Sequence, residues 1–181
     1  RNGCRVTYLS VHRDGSLDLG EFIHALAADT LLVSIMHANN ETGVIFPIAE
    51  IGDVLRHRKI PFHTDAVQAV GKVPLNVKEL FLDMLSFSGH KLPAAQGAGA
   101  LYVRRGTRFS PYLIGGHQEQ SRRAGTENVA SIIGLGRACE LSMKQIADDA
   151  GYVARLRDKL EKALLVQCPD ASVNGDVTQR L

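Results

Sequence analysis

Three short apolar runs, residues 31–36, 60–64 and 83–88, each stop at a polar segment rich in turn formers. Runs of that length, so bounded, read as strands. Between the first two, Pro47 opens a stretch that carries Ile48, Ile51, Val54 and Leu55 on one side. That spacing is an amphipathic helix, and proline suits its first turn, where a missing N–H costs nothing. Arg56, His57, Arg58 and Lys59 close it, where positive charge favours the helix dipole; the cluster reads as a solvated helix end. Strand, helix, strand with short links predicts an α/β fold: a mostly parallel sheet flanked by helices. The 31–36 run is nearly continuous, as expected of a sheet buried on both faces.

The flanks extend this pattern. Residues 5–11 alternate and are rich in β formers, predicting a further strand. Asp14-Gly15 signals a turn, and Asp18 with Glu21 reads as a capping box. The helix it opens would carry Phe22, Ile23, Leu26 and Ala27 on one face. Residues 100–103 read as a last strand. Two helices are expected after that, over 127–144 and 148–166, from Val129, Ile132, Leu135, Cys139 and Met143 and then Val153, Leu156, Leu160 and Leu164. Hydrophobic content of 45% and charged content of 22% place the chain with soluble globular proteins. A net charge of +2 is too small to argue for nucleic acid or a membrane surface as partner, and no apolar run reaches the length of a membrane span. Cys4, Cys139 and Cys168 are odd in number and widely spaced, which suggests neither a disulfide framework nor a metal site and fits a reducing cytoplasm. The first residue is Arg1, so a natural start further upstream is expected.

In parallel α/β sheets, ligands bind beyond the carboxyl ends of the strands. Asn40, then Asp65 with Gln68, then Ser88 with His90 and Lys91 lie at or just beyond three such ends. A lysine placed there can form a Schiff base with an aldehyde cofactor, and nearby hydroxyl and N–H donors can hold that cofactor's phosphate. A carboxylate such as Asp65 can keep a pyridine nitrogen protonated, and an amide such as Gln68 or Asn40 can bond a ring oxygen. Each has a plainer alternative. Lys91 reads equally as a surface lysine, Asp65 as a helix N-cap, and Asn39-Asn40 as an Asx turn. His37 and His63 read as strand histidines with hydrogen-bonded rings.

Five motifs raise the specificity. His37-Ala38-Asn39-Asn40-Glu41-Thr42-Gly43 comes first, followed by His63-Thr64-Asp65-Ala66-Val67-Gln68 and Ser86-Phe87-Ser88-Gly89-His90-Lys91. Gly115-Gly116-His117-Gln118-Glu119 and Arg123-Ala124-Gly125-Thr126-Glu127-Asn128 continue in order. In this register they resemble the cysteine desulfurases of the NifS/IscS type, class V aminotransferases among the fold-type I pyridoxal-phosphate enzymes. The resemblance implies that Lys91 binds pyridoxal 5'-phosphate, that Asp65 pairs with its pyridine nitrogen, and that Gln68 and Asn40 lie near the ring oxygen. It implies that Ser88 and His90 bind the phosphate, and that Thr126 reaches the phosphate of the neighbouring subunit in a homodimer.

The implied activity takes sulfur from L-cysteine, leaving L-alanine and an enzyme persulfide that passes to a scaffold or carrier protein for iron–sulfur cluster assembly. Selenocysteine lyase or another class V aminotransferase or lyase is the alternative; a non-catalytic, dimerising interaction module is the alternative of another class. Residues 1–165 would belong to the cofactor-binding large domain and 166–181 to the start of a small C-terminal domain. The run Leu92-Pro93-Ala94-Ala95-Gln96 departs from the family's pattern after the lysine. By the same resemblance, the family's first phosphate loop and ring-stacking histidine lie upstream of residue 1. The persulfide cysteine lies beyond residue 181, and none of the three cysteines matches it.

Overall fold

The computed structural model describes residues 3–181. Its sheet has four strands in the order β1 (Val33–Met36), β2 (Phe62–Asp65), β3 (Met84–Ser88) and β4 (Gly99–Val103). The first three run parallel, and β4 returns antiparallel to β3. Residues 89–98, which join β3 to β4, are too few for a crossover helix, so the chain must turn back. Register pairs Met36 with Asp65 and Asp65 with Ser86, so the carboxyl ends of β1, β2 and β3 form one edge.

Helix α2 (Ile48–Arg58) covers one face of the sheet. Ile48, Ile51 and Leu55 pack with Val33, Phe62, Leu82 and Leu85 in the main core. Pro47 stands at the N-cap, one place before the first turn, and Lys59 closes the helix in the left-handed region. Helix α1 (Leu19–Ala25) is capped by Asp18, whose Oδ1 accepts the Glu21 N–H at 2.9 Å. It buries Phe22 in the same core; Ile23 stays exposed and Ala27 falls outside the helix. Asp83 is buried just before β3, where it accepts the Phe62 N–H at 2.8 Å and pairs with Arg104.

Three expectations fail. Residues 5–11 form no strand: Val6, Tyr8 and Val11 are exposed, and among the described residues the stretch has no ladder partner. A β-rich alternation becomes a strand only where an edge receives it. Among the described residues the sheet is covered on one face, not two; Met36 and Leu101 on the other face are exposed. The two C-terminal helices are one, α4 (Val129–Gln167), of 39 residues. The supposed break falls at Gln145, Ile146 and Ala147, which hold no proline or glycine to stop a helix. Asn128 caps it by accepting the Ser131 N–H at 3.2 Å. Leu135 and Ala138 of α4 form a second small core with Leu92, while Ile133, Met143 and Leu160 stay exposed.

Gly52 shows how tightly α2 sits. A Cβ there would lie 2.2 Å from the Leu80 carbonyl oxygen, which is backbone and cannot swing aside. Gly52→Ala is therefore expected to destabilise the protein by about 3 kcal/mol, because overpacking outweighs alanine's helix propensity. Denaturant unfolding checks this, and a variant as stable as the parent would refute the packing described.

Candidate active site

The site is built on the uncovered face and the carboxyl edge of the sheet. On β2, Phe62 and Thr64 face the core, and the Thr64 hydroxyl donates to the Ile35 carbonyl at 2.8 Å. Alternation then turns His63 and Asp65 to the open face. Asp65 is the last residue of β2, and its side chain is exposed. One oxygen, Oδ1, accepts the Val67 N–H at 2.9 Å; the other accepts no hydrogen bond among the described residues. The capping alternative is thus realised in part, without consuming the carboxylate.

A helical turn follows, in which the Ala69 and Val70 N–H groups both donate to the Ala66 carbonyl at 3.0 Å. It brings Lys72 back to Gln68, whose Oε1 accepts from Nζ at 3.0 Å. An ammonium can only donate, so the free end of the Gln68 amide is its NH2 group, the end that could bond a ring oxygen. Desolvation, and then the charge of nearby Lys91, lowers the Lys72 amine below its ordinary value. Lys72 thus joins Gln68 to the neighbourhood of Lys91. Only its i,i+4 spacing from Gln68 hinted at this in the sequence.

Lys91 ends the short 3-10 turn Gly89–Lys91 that follows β3. The turn is clamped on both sides. The Gly89 N–H donates to the Ala98 carbonyl at 2.8 Å, and a Cβ at Gly89 would lie 2.9 Å from that same oxygen. The Leu92 N–H donates to the Gly89 carbonyl at 2.9 Å, and the Leu92 side chain is buried against Leu135 and Ala138. The divergent residue Leu92 is therefore a packing anchor for the lysine's turn. Ser88 Oγ lies 2.6 Å from His90 Nδ1. Ser88 is one strand over and two residues along from Asp65's partner position, about 8 Å from Asp65 at standard sheet spacings.

The loop after β1 separates its two asparagines by role. Asn39 Oδ1 accepts the N–H groups of Glu41 at 2.8 Å and Thr42 at 2.9 Å, together with the Thr42 hydroxyl at 3.2 Å. Asn39 is the Asx turn. Asn40 is exposed, and its amide makes no hydrogen bond among the described residues. The last residues of the chain hold this loop: the Ile45 N–H donates to Gln179 O and the Leu181 N–H to Gly43 O, each at 2.9 Å. Arg180 ties that segment to α4 through both oxygens of Glu161, at 2.6 and 3.1 Å. Asn39→Ala is expected to cost about 2 kcal/mol, because it removes the acceptor of two backbone donors. The same change at Asn40 should fall within about 0.5 kcal/mol. Thermal or denaturant unfolding of the pair checks this; equal losses would contradict the division.

Thr126 is exposed in the segment ahead of α4 and makes no hydrogen bond to Ser88 or His90. The edge thus gathers Asp65, Gln68, Ser88, His90 and Lys91, with Asn40 on the adjoining loop and Thr126 apart. The Gly115–Glu119 motif leads into α3 (Gln118–Ser121), a turn in which Glu119, Gln120 and Ser121 all have positive φ. Of the cysteines, Cys139 is half-buried beside Leu135 and burial pushes its thiol up, while Cys4 and Cys168 are exposed. His37 is buried, and burial lowers its imidazole.

These groups fit pyridoxal phosphate by the chemistry of the donor set: an exposed amine, a carboxylate with one oxygen uncommitted, a free amide NH2, and a hydroxyl–imidazole pair. They share one edge, and the turn that carries the amine is packed so closely that Gly89 has no room for a Cβ beside the Ala98 carbonyl.

Comparison with known proteins agrees with this picture. The model of the aminotransferase class-V family matches residues 1–181. A cysteine desulfurase of Nostoc sp. is 59% identical over 179 residues, 99% of this chain and 45% of that protein. The cysteine desulfurase NifS of Azotobacter vinelandii is 52% identical over 179 residues, 99% of this chain and 44% of that protein. The crystal structure of DndA from Streptomyces lividans superposes with a TM-score of 0.89 at 37% identity, covering 99% of this chain and 51% of that one. The chain thus spans about half the length of the relatives it matches. With a family model matched from its first residue to its last, over a sheet edge that carries the lysine and the carboxylate, the chain belongs to the class-V aminotransferase family.

Proposed function

We propose that this chain forms the cofactor-holding part of a pyridoxal-phosphate-dependent cysteine desulfurase, which takes sulfur from L-cysteine and leaves L-alanine. The observation that carries the reading is the convergence of Lys91, Asp65 and the Ser88–His90 pair on one sheet edge, in a chain 52–59% identical to cysteine desulfurases. When bound, the cofactor supplies an electron sink that stabilises negative charge at the substrate's α-carbon.

The residues divide the remaining work. Lys91 would hold the cofactor covalently, and its amine would be the group placed to move the substrate's α-proton. Its turn is anchored at Gly89 and Leu92, so Nζ works from a fixed base. The free oxygen of Asp65 would hold a proton on the ring nitrogen. The Gln68 NH2 group, oriented by Lys72, would donate to the ring oxygen, with Asn40 as a second amide for the same oxygen. Ser88 and His90 would hold the phosphate, and Thr126 would serve the phosphate of a partner subunit in a homodimer. The persulfide is assigned to none of Cys4, Cys139 and Cys168: burial works against thiolate formation at Cys139, and among the described residues Cys4 and Cys168 are exposed thiols with no side-chain hydrogen bond.

The sulfur then passes to a scaffold or carrier protein, with iron–sulfur cluster assembly as the destination and the cytoplasm as the place. Among the described residues no helix is long and apolar enough to cross a membrane. Residues 1–165 form part of the large domain and 166–181 begin the small one. The test is product analysis of the complete protein. L-cysteine with a thiol reductant should give alanine and sulfide in equal amounts. A keto acid as product would overturn the reading in favour of an aminotransferase, and turnover of selenocysteine alone in favour of a lyase.

A further inference from the structure

The open face of the sheet carries a second histidine that the reading above does not use. His63 on β2 lies directly opposite Ser34 on β1, and its Nδ1 is 2.8 Å from the Ser34 hydroxyl. Its Nε2 is 3.1 Å from the hydroxyl of Ser86 on β3. One imidazole therefore bridges three strands. Ser86 is in turn the register partner of Asp65, and His63 shares Asp65's strand and face, about 7 Å away at strand spacing.

The hydrogen bonds alone leave the charge of this ring undecided. A neutral imidazole needs one donor and one acceptor; an imidazolium needs two acceptors. A serine hydroxyl serves as either, so Ser34 and Ser86 can satisfy every form. The surroundings decide. From β1 the ring meets Ser34 with Met36 beside it; from β3, Met84 and Ser86; and from β4 the same face carries Leu101 and Val103. None of these can carry a charge. Among the described residues the charged group that acts on His63 is Asp65, on its own strand, and burial outweighs its pull, so the imidazole lies below its ordinary value of 6.5. Were the ring to hold a proton, it would draw on the same carboxylate that the ring nitrogen of the cofactor needs.

We propose that His63 is a positioning residue for Asp65: with Nδ1 held by Ser34 and Nε2 by Ser86, it braces the end of β2 and leaves the Asp65 carboxylate undivided for the cofactor's ring nitrogen. The inference rests on the reading that Asp65 pairs with that nitrogen. It accounts for a polar bridge on a sheet face where a strand would otherwise carry apolar side chains.

The test loads the complete protein with pyridoxal phosphate carrying 15N at the ring nitrogen and follows that resonance with pH. Asp65→Asn comes first: it should lower the pH at which the ring nitrogen loses its proton, and an unmoved resonance would sink the Asp65 reading itself. With that shift in hand, His63→Lys, a fixed cation beside Asp65, should lower the same midpoint by about one unit or more, a tenfold loss of proton affinity. His63→Gln keeps an uncharged donor and acceptor and should stay within about twofold of the parent. A lysine variant that titrates like the parent, or a glutamine variant that shifts as far as lysine, overturns the role of His63 and leaves that of Asp65 standing. Should the lysine variant fail to fold, the His63 ring protons of the unaltered protein decide: a midpoint below 6.5 is expected, and one at or above it overturns the inference.

Discussion

Asp65→Ala in the complete protein is expected to slow alanine formation about 10³-fold while leaving the fold intact, since loss of one preorganised group at a developing charge costs on that order. The carboxylate ends β2 on the open face, with one oxygen turned to Val67 and the other uncommitted. Its charge makes a protonated ring nitrogen favourable, and a protonated ring is the one able to take up negative charge from the substrate. The effect should fall on kcat, because on the proposed reading Lys91 and the Ser88–His90 pair still bind the cofactor. Stability should change by less than about 1 kcal/mol, since the residue is exposed and accepts one backbone bond. Asp65→Asn separates the two roles: it can keep the bond to the Val67 N–H and loses the charge. Steady-state kinetics on both variants check this. Near-parental rates in Asp65→Asn would show that the turn, not the charge, is what the position supplies.

Lys91→Ala should lose more, about 10⁴-fold or beyond, because the proposal makes the covalent anchor and the proton-moving amine the same group. The change is mild for the fold. Lys91 is exposed, and its turn is held by Gly89 and by the buried Leu92, neither of which depends on the lysine side chain. Cofactor bound to the variant should therefore be removable by dialysis, with the unfolding midpoint of the apoprotein unchanged. A small primary amine added to the assay should recover part of the rate by replacing the missing base. Retention of more than about a tenth of parental activity would mean that another amine does the chemistry, and Lys72 is the neighbour to examine.

Much of this site was legible from residue order because its logic is local. A strand that ends, a turn former, then a polar group is readable at Asp65, and the same holds for Ser88, His90 and Lys91. α2 was legible for the same reason, through the spacing of Ile48, Ile51 and Leu55. What sequence could not show were features that depend on partners distant along the chain. Residues 5–11 have the composition of a strand, yet among the described residues no edge receives them. Which face of the sheet the described residues leave open could not be foreseen, because apolar content in 31–36 does not say which side finds a cover. His63 looked like any strand histidine until Ser34 and Ser86 were placed 29 and 23 residues away on either side of it. Asn39 and Asn40 are adjacent and chemically identical, and only backbone geometry decides which one closes the turn.

The most direct measurement is to reduce the cofactor-loaded complete protein with borohydride, digest it and locate the adduct by mass spectrometry. The account predicts one pyridoxyl-modified peptide, the one that contains residue 91, with the label on the lysine between His90 and Leu92. A label on Lys72 or Lys59 instead, or no stable label with the cofactor bound, would contradict the assignment of this sheet edge as the site of chemistry.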